Sequence, residues 1–381
     1  MHQVIIVGAG PGGAYLAYLL ANNGLDVLVI EKEQLPRHKP CGGGLTPKVI
    51  KLLDFDLSPV IEDVIYSLVL TRRLNDPVKI NTEKPIVFMT SRDKFDAYLL
   101  ERARSAGARV LENTRIDRMQ QNSACVTVAS GDTEWQGSIL AGADGAQGIV
   151  GRTLGLNRNY KIAKALEIHV PLPPNHMKSY RGAVKVDYGL VPSGYAWIFP
   201  KTDNLSMGVG TINSRTKGLA NHLTGLVQAE GITAEAAAVT KRGWTIPLNL
   251  SMGDLHNGRV ILIGDAAGLA NGFTGEGIYQ ALLSASMAAE VIIEQIKQPS
   301  PALHKYSASI KEKLLKEHSS AFRITQLFYP AAGMIHRMIS RQNDLALELL
   351  ETIAGEISYA QMLNSFCKQL PGALIPGLSI R

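Results

Sequence analysis

The sequence predicts an α/β protein: a parallel sheet with flanking helices, an antiparallel sheet, and a helical C-terminal region. Three observations predict it. A glycine-rich turn, Gly8-Ala9-Gly10-Pro11-Gly12-Gly13, stands between an apolar strand and a helix at the start of the chain. A second strand–loop–helix pattern recurs far downstream, at 258–295. Between them, residues 160–250 carry short strand candidates separated by proline and glycine, which suits an antiparallel sheet.

Gln3–Val7 reads as a strand, Ala14–Ala21 as a helix, and Val27–Ile30 as a second strand ending in Glu31. Gly8, Gly10 and Gly13 give the spacing G-x-G-x-x-G. The first glycine allows the tight turn, the second admits a pyrophosphate, and the third lets helix pack on strand. The helix N-terminus offers free N–H groups to phosphate. Glu31 stands 18 residues after Gly13, where an acid can accept from a ribose hydroxyl and repels a 2′-phosphate. The strand, the helix and the acid make this a Rossmann-like dinucleotide site, with Gly8, Gly10, Gly12, Gly13, Glu31 and Lys32 as expected cofactor contacts.

Downstream, Gly258–Ile263 reads as a buried strand closed by Gly264-Asp265, and Thr274-Gly275-Glu276-Gly277-Ile278 opens the helix Ile278–Gln295. Asp265 is placed to accept from a ribityl hydroxyl, and Gly275, Gly277 and Ile278 bring a helix N-terminus to the cofactor. An adenine dinucleotide site joined to this second element predicts FAD. Two shorter pieces lie between: the turn Ala143-Asp144-Gly145 with Arg152 after it, and Arg92-Asp93-Lys94-Phe95-Asp96, with a cation at a helix start. Alone, each reads equally as punctuation.

Alternating strand patterns are expected at 108–117, 124–129 and 134–141, and further strands at Ala165–Val170, Ala183–Tyr188, Ala196–Phe199 and Leu205–Ile212. Residues 301–365 read as helices, with apolar spacing in Phe322, Ile324, Leu327, Met334, Ile335, Met338 and Ile339. The tail 366–381 holds Leu374, Ile375, Leu378 and Ile380, which cover a cavity, touch a membrane or pack on their own domain. The expected organisation is a discontinuous FAD domain (1–155 and 258–300), an antiparallel substrate domain (156–257) and a helical region (301–381).

Three cysteines in 381 residues, Cys41, Cys125 and Cys367, give no disulfide framework, no zinc spacing and too few ligands for a Cys₄ cluster, so no metal is expected. Met1-His2-Gln3 runs directly into the first strand, which reads as no signal peptide. No run of 18 apolar residues occurs. The expected location is cytoplasmic, or peripheral at a membrane surface. Net charge is +6 and pI about 9.1, with Lys311, Lys313 and Lys316 on one expected helix. Such a face meets anionic lipid, an acidic electron donor or a phosphorylated substrate, but more often is simply solvated. No nucleic-acid partner is expected.

Two motifs bear on the substrate. Pro36-Arg37-His38-Lys39-Pro40-Cys41-Gly42-Gly43-Gly44 follows Glu31 closely, and its glycines let backbone approach a cofactor. Cys41 is a redox or acid group, or a small buried thiol. Gly194-Tyr195-Ala196-Trp197-Ile198-Phe199-Pro200-Lys201 places Tyr195, Trp197 and Phe199 on one strand face. That face suits a long apolar substrate, or packs on the domain core.

The order of the FAD elements resembles that of flavoproteins related to p-hydroxybenzoate hydroxylase. More specifically, Lys39-Pro40-Cys41-Gly42-Gly43-Gly44, Tyr195-x-Trp197-x-Phe199-Pro200 and Gly264-Asp265-Ala266-Ala267-Gly268 with Thr274–Ile278 resemble the geranylgeranyl reductase family over residues 3–300. The resemblance implies an FAD-dependent oxidoreductase that saturates isolated C=C bonds of a geranylgeranyl or polyprenyl chain on a lipid, quinone or chlorophyll-type pigment. It implies FAD contacts at Gly8, Gly10, Gly13, Glu31, Cys41, Gly42, Arg92, Asp265, Gly277 and Ile278, to which Gly43 and Asp144 are added by position. It further implies that Tyr195 and Trp197 line the prenyl path, with Phe199 beside them, and that Cys41 is the candidate catalytic group. Some family members read Gly-Glu-Gly where this chain has Gly42-Gly43-Gly44. The expected electron donor is NADPH or reduced ferredoxin, since no second nucleotide fingerprint is visible.

An unconjugated alkene is a poor hydride acceptor. Its reduction asks for a dry, aromatic-lined cavity and a nearby acid, with positive character developing on carbon. The rival readings are an FAD-dependent aromatic monooxygenase or halogenase, and an isoprenoid-binding flavoprotein. The halogenase type reads Trp-x-Trp-x-Ile-Pro where this chain has Tyr195-x-Trp197-x-Phe199-Pro200.

Overall fold

A computed structural model describes residues 1–156, 160–232, 240–251, 253–297 and 303–369. The chain forms two compact units. The first comprises Met1–Lys39, Arg92–Lys161 and Ile246–Leu315; the second comprises Pro40–Ser91, Ile162–Thr245 and Lys316–Arg381. The aliphatic tail residues Leu374, Ile375, Leu378 and Ile380 lie outside the described residues.

The first unit is built on an eight-stranded sheet. Its main path runs His256–Asn257, Val260–Leu262, Thr133–Gly142, His2–Val7, Val27–Ile30 and Arg109–Leu111. The last five of these are parallel to one another. Val4 faces Ile139 on one side and Val27 on the other, and Val4, Ile5 and Ile6 are all fully buried. A continuous apolar run is what a strand covered on both faces requires. Val126–Ser130 adds to the long strand antiparallel, and Arg118–Gln121 pairs with it in turn.

The expected strand 108–117 stops at Leu111. Asn113 takes a left-handed φ of 54°, and the Glu112 carboxylate is drawn aside by the Leu35 N–H and by Arg104. The helix Pro11–Asn22 begins with proline, whose missing N–H costs nothing at a first turn. It packs against Arg92–Ser105 and Ile278–Lys297.

The second unit holds a seven-stranded sheet in the order Arg242–Leu248, Lys161–Pro171, Asn204–Thr211, Gly194–Pro200, Ala183–Tyr188, Ser67–Arg72 and Asn75–Asn81. The consecutive pairs from Lys161–Pro171 to Ala183–Tyr188 are antiparallel. Ser67–Arg72 then joins parallel to Ala183–Tyr188 and pairs antiparallel with Asn75–Asn81. A small antiparallel sheet of Gly44–Leu45, Val87–Met89 and Asp63–Ile65 carries the cysteine–glycine segment.

Strand alternation divides the large sheet into two different faces. Ala196, Ile198, Leu205, Met207 and Val209 join Leu223, Leu226 and Val227 of the helix Leu219–Ala229 in one aliphatic core. Tyr195, Trp197 and Phe199 point to the other face, opposite Gly210, Gly208 and Ser206 on the neighbouring strand. The aromatic residues are therefore not the face that packs on this aliphatic core.

The helices after His304 run His304–Arg341, Asp344–Ala354 and Tyr359–Gln369. Of the expected apolar positions, Ile324, Ile335 and Ile339 are buried while Phe322, Leu327, Met334 and Met338 are half-buried; Phe328, outside that set, is also buried. The first of these helices is tied to strands of the second unit. Its His336 accepts from the Tyr188 hydroxyl at Nδ1 (2.6 Å) and donates from Nε2 to the Asp76 carbonyl (2.7 Å).

Candidate functional site

In the first unit, the glycine-rich turn is shaped by its own backbone. Gly8 has φ of 102°, and a Cβ there would stand 2.4 Å from the Ala143 carbonyl oxygen. A Cβ on Gly13 would stand 1.9 Å from the Gly8 carbonyl oxygen. Gly10 differs: a Cβ there meets no protein atom within 4 Å. Gly10 is also the N-cap of Pro11–Asn22, and no side chain caps that helix end. Thus Gly8 and Gly13 serve the fold, while Gly10 leaves room and N–H donors for a phosphate. The residues present fit a dinucleotide.

Glu31 is buried. Its Oε2 accepts the Ala9 N–H at 2.6 Å and its Oε1 accepts the Glu33 N–H at 3.1 Å. The acid expected at the ribose also holds the turn. Lys32 beside it is exposed.

The two distant fingerprints meet. A Cβ on Gly12 would lie 3.1 Å from the Ala281 carbonyl oxygen, in the first turn of Ile278–Lys297, and 3.4 Å from Ile263 Cδ1. Asp265 sits in the 3₁₀ turn Gly264–Ala267, with Lys39 Nζ at 3.7 Å. A Cβ on Gly277 would be 3.3 Å from Asp265 Oδ1. The loop around Gly275 is fixed by Asn271, which is buried. Its side-chain oxygen accepts the N–H groups of Phe273 and Thr274, and its carbonyl accepts the Gly275 N–H. Ile278 opens the helix and is buried.

Arg92 and Asp144 occupy different settings. Arg92 is buried at the start of Arg92–Ser105, and its Nε and Nη2 each donate to Asp96 at 2.7 Å, a bidentate pair. Arg37 adds a third donor to Asp96 at 3.0 Å, and Asp96 is fully buried. Asp144 Oδ2 accepts the Val150 N–H at 3.0 Å, in the first turn of Ile149–Leu154. Burial pushes the Asp144 carboxyl above the usual carboxylate range, against the pull of those backbone N–H groups and of Arg152.

In the second unit, the cysteine–glycine segment and the aromatic strand come together. Tyr195 and Trp197 have ring centroids 6.0 Å apart, and Trp197 and Phe199 6.4 Å apart. Trp197 Nε1 donates to the Ser206 hydroxyl at 3.2 Å. A Cβ on Gly42 would stand 2.8 Å from the Phe199 ring and 3.5 Å from Trp197 Nε1. The Gly43 N–H donates to Cys41 Sγ at 3.4 Å. Burial, with Cys41 nearby, pushes the Tyr195 hydroxyl up to about 12, so it stays protonated near neutrality. Cys41, Tyr195 and Phe199 are half-buried, and Trp197 is buried.

Three residues in these surroundings escaped the sequence reading. Asp96 had a signal, the i,i+4 spacing from Arg92. Asn271 had one in its place ahead of Gly272 and Gly275. Lys201, which is fully buried and contacts the Gly42 and Gly43 carbonyls, had none, because a lysine after a strand-ending proline ordinarily reads as solvated.

The sequence matches the profile described as FAD binding domain over residues 1–313. It is 30% identical over 366 residues to the geranylgeranyl diphosphate reductase of Rhodobacter capsulatus, covering 91% of this chain and 89% of that protein. It is 25% identical over 389 residues to the digeranylgeranylglycerophospholipid reductase of Methanocaldococcus jannaschii, covering 97% and 95%. The fold is shared with a geranylgeranyl bacteriochlorophyll reductase-like protein of Thermoplasma acidophilum, with a TM-score of 0.76, 22% identity and coverage of 97% and 96%.

Proposed function

The chain belongs to the geranylgeranyl reductase family of FAD-binding oxidoreductases, and from that premise we propose that it saturates isolated C=C bonds of a geranylgeranyl or polyprenyl chain carried on a lipid, quinone or chlorophyll-type pigment. The single observation that carries the reading is the face formed by Tyr195, Trp197 and Phe199 over Ser206, Gly208 and Gly210. Small residues under a row of rings give a long, smooth, apolar wall. A prenyl chain laid on such a wall gains about 0.8 kcal/mol per buried CH₂ without any polar contact.

Gly8, Gly10, Gly12, Gly13, Glu31, Lys32, Cys41, Gly42, Gly43, Arg92, Asp144, Asp265, Gly275, Gly277 and Ile278 are the proposed FAD contacts. When bound and reduced, FAD supplies the hydride. The chain's own residues exclude water, hold the alkene and move the proton. Trp197 stabilises positive character on the alkene carbon through its ring face. The Cys41 thiol gives its proton to the other carbon of the double bond, so that the carbon bearing positive character takes the hydride, and the Gly43 N–H steadies the thiolate left behind until water reprotonates it. Reducing equivalents come from NADPH or reduced ferredoxin. Among the described residues, no helix is long and apolar enough to cross a membrane. Access to a lipid-borne substrate is proposed to occur by peripheral contact from the cytoplasmic side.

The experiment is anaerobic. Protein reduced with dithionite is mixed with geranylgeranyl lipids, quinones or pigments, and products are weighed. The expected result is flavin reoxidation with a gain of two hydrogens per reduced double bond. Reoxidation only by oxygen, with hydroxylated aromatic product, would replace this reading with the monooxygenase one.

A further inference from the structure

Lys201 ends the aromatic segment and is fully buried. Its ammonium donates to three carbonyl oxygens: Gly42 at 2.6 Å, Thr90 at 2.7 Å and Gly43 at 3.2 Å. An ammonium has three N–H groups and no acceptor, and three carbonyl oxygens stand within its reach.

The three carbonyls belong to two segments. Gly42 and Gly43 lie in the cysteine–glycine loop, and Thr90 follows the strand Val87–Met89. Thr90 closes the arrangement by donating its N–H to the Gly43 carbonyl at 2.8 Å. Gly43 has φ of 64°, and a Cβ there would stand 2.0 Å from the Thr90 carbonyl oxygen and 2.7 Å from Lys201 Nζ. Loop, strand end and ammonium are thus in close approach. The same Gly43 donates its N–H to Cys41 Sγ, and Gly42 lies against the rings of Phe199 and Trp197.

We infer that Lys201 is a positioning residue: its ammonium fixes the Cys41–Gly43 loop against the aromatic strand and, through Gly43, aims the Cys41 sulfur. It touches no substrate. The consequence for rate rests on the reading of Cys41 as proton donor in the proposed reduction; the fixing of the loop does not. A buried carbonyl that loses a charged donor must find water, so removing the ammonium frees the loop.

The test uses the full chain loaded with FAD. Lys201→Met keeps most of the side chain and removes the donors. Hydrogen exchange is followed by mass spectrometry in peptides covering residues 41–44 and Thr90. Exchange there is expected to rise about tenfold or more, the loss of one charged hydrogen bond. Exchange in His2–Val7 and Pro11–Asn22 is expected to stay at wild-type values. In the anaerobic prenyl assay, kcat is expected to fall about tenfold while the half-saturating lipid concentration changes less than about threefold. Ethylammonium added to Lys201→Ala is expected to restore slow exchange and rate together.

Wild-type exchange in the loop overturns the inference. So does faster exchange everywhere with a lower melting temperature and no amine rescue, which marks Lys201 as ordinary packing. If Lys201→Met does not fold, Lys201→Gln replaces it: its two neutral N–H groups cannot serve three carbonyls as the ammonium does, so a smaller rise confined to the loop is expected, and exchange unchanged in the loop, or raised everywhere alike, overturns the role of the ammonium. A wild-type protein that leaves every prenyl alkene untouched removes the proposed function, while exchange and amine rescue still decide the role of Lys201.

Discussion

Trp197 lies directly on Gly208, its cross-strand partner: a Cβ on that glycine would stand 2.1 Å from Trp197 Cζ2. The indole is seated where a neighbouring strand has given up its side chain. Gly208→Ala therefore forces the ring to tilt away and strains its bond to Ser206. The expected cost is about 1–3 kcal/mol, the range for an added core methyl. Chemical unfolding measures it. The saturation pattern of the product is expected to change as well, because the tilted ring sets the chain at a different depth.

Gly10 and Gly13 separate binding from folding. Gly10 sits at φ −68° and ψ −179°, ordinary extended backbone, and has no protein neighbour for a new Cβ. Gly10→Val is expected to leave apoprotein stability within about 1 kcal/mol of wild type while abolishing FAD uptake. Gly13→Val drives side-chain atoms into the Gly8 carbonyl and is expected to disrupt the turn itself, at a cost of several kcal/mol. Circular dichroism melting and flavin absorbance on the same samples distinguish the two.

The parts legible in the sequence share one property: their signal is local. Val27–Ile30 and Ala183–Tyr188 form strands at the expected residues, because apolar runs bounded by turn residues leave little choice. The turn at Gly8–Gly13 was legible for the same reason. What the sequence hid depends on distant partners. Ser67–Arg72 pairs in parallel with Ala183–Tyr188, and nothing in its six residues announces a partner so far along the chain. Alternation told that Tyr195, Trp197 and Phe199 share a face, but not which face meets the aliphatic core. That depended on Leu223, Leu226 and Val227 from a later helix. Lys201 was hidden because its acceptors are backbone carbonyls, which carry no sequence signature.

Cys41 accepts the Gly43 N–H, and the structure gives it no role in holding large elements together. Cys41→Ala is expected to keep FAD uptake and to shift stability by less than about 1 kcal/mol. Alkene reduction is expected to slow about a hundredfold, the lower end for a lost general acid. Stopped-flow flavin reoxidation under anaerobic conditions reads the rate. A variant with wild-type rate would remove Cys41 from the chemistry.

His318 predicts an acid-sensitive second unit. It is buried in the helix His304–Arg341, and burial, with Lys48 adding repulsion, depresses its imidazole to about 4. An exposed imidazole in the unfolded chain titrates near 6.5. Between those values the unfolded chain binds the proton and the folded chain does not, so stability is full above about pH 6.5 and falls as pH drops toward 4. The loss across that window is on the order of 3 kcal/mol, from about 1.4 kcal/mol per pH unit. His318→Leu keeps an apolar side chain of similar size in the helix and has nothing to protonate. Denaturant titrations at pH 7 and pH 4.5 are expected to show a drop in the wild-type protein that is smaller in the variant by most of that amount. Equal drops in both would mean that the acid sensitivity lies in other groups and that the His318 imidazole is not held neutral by its burial.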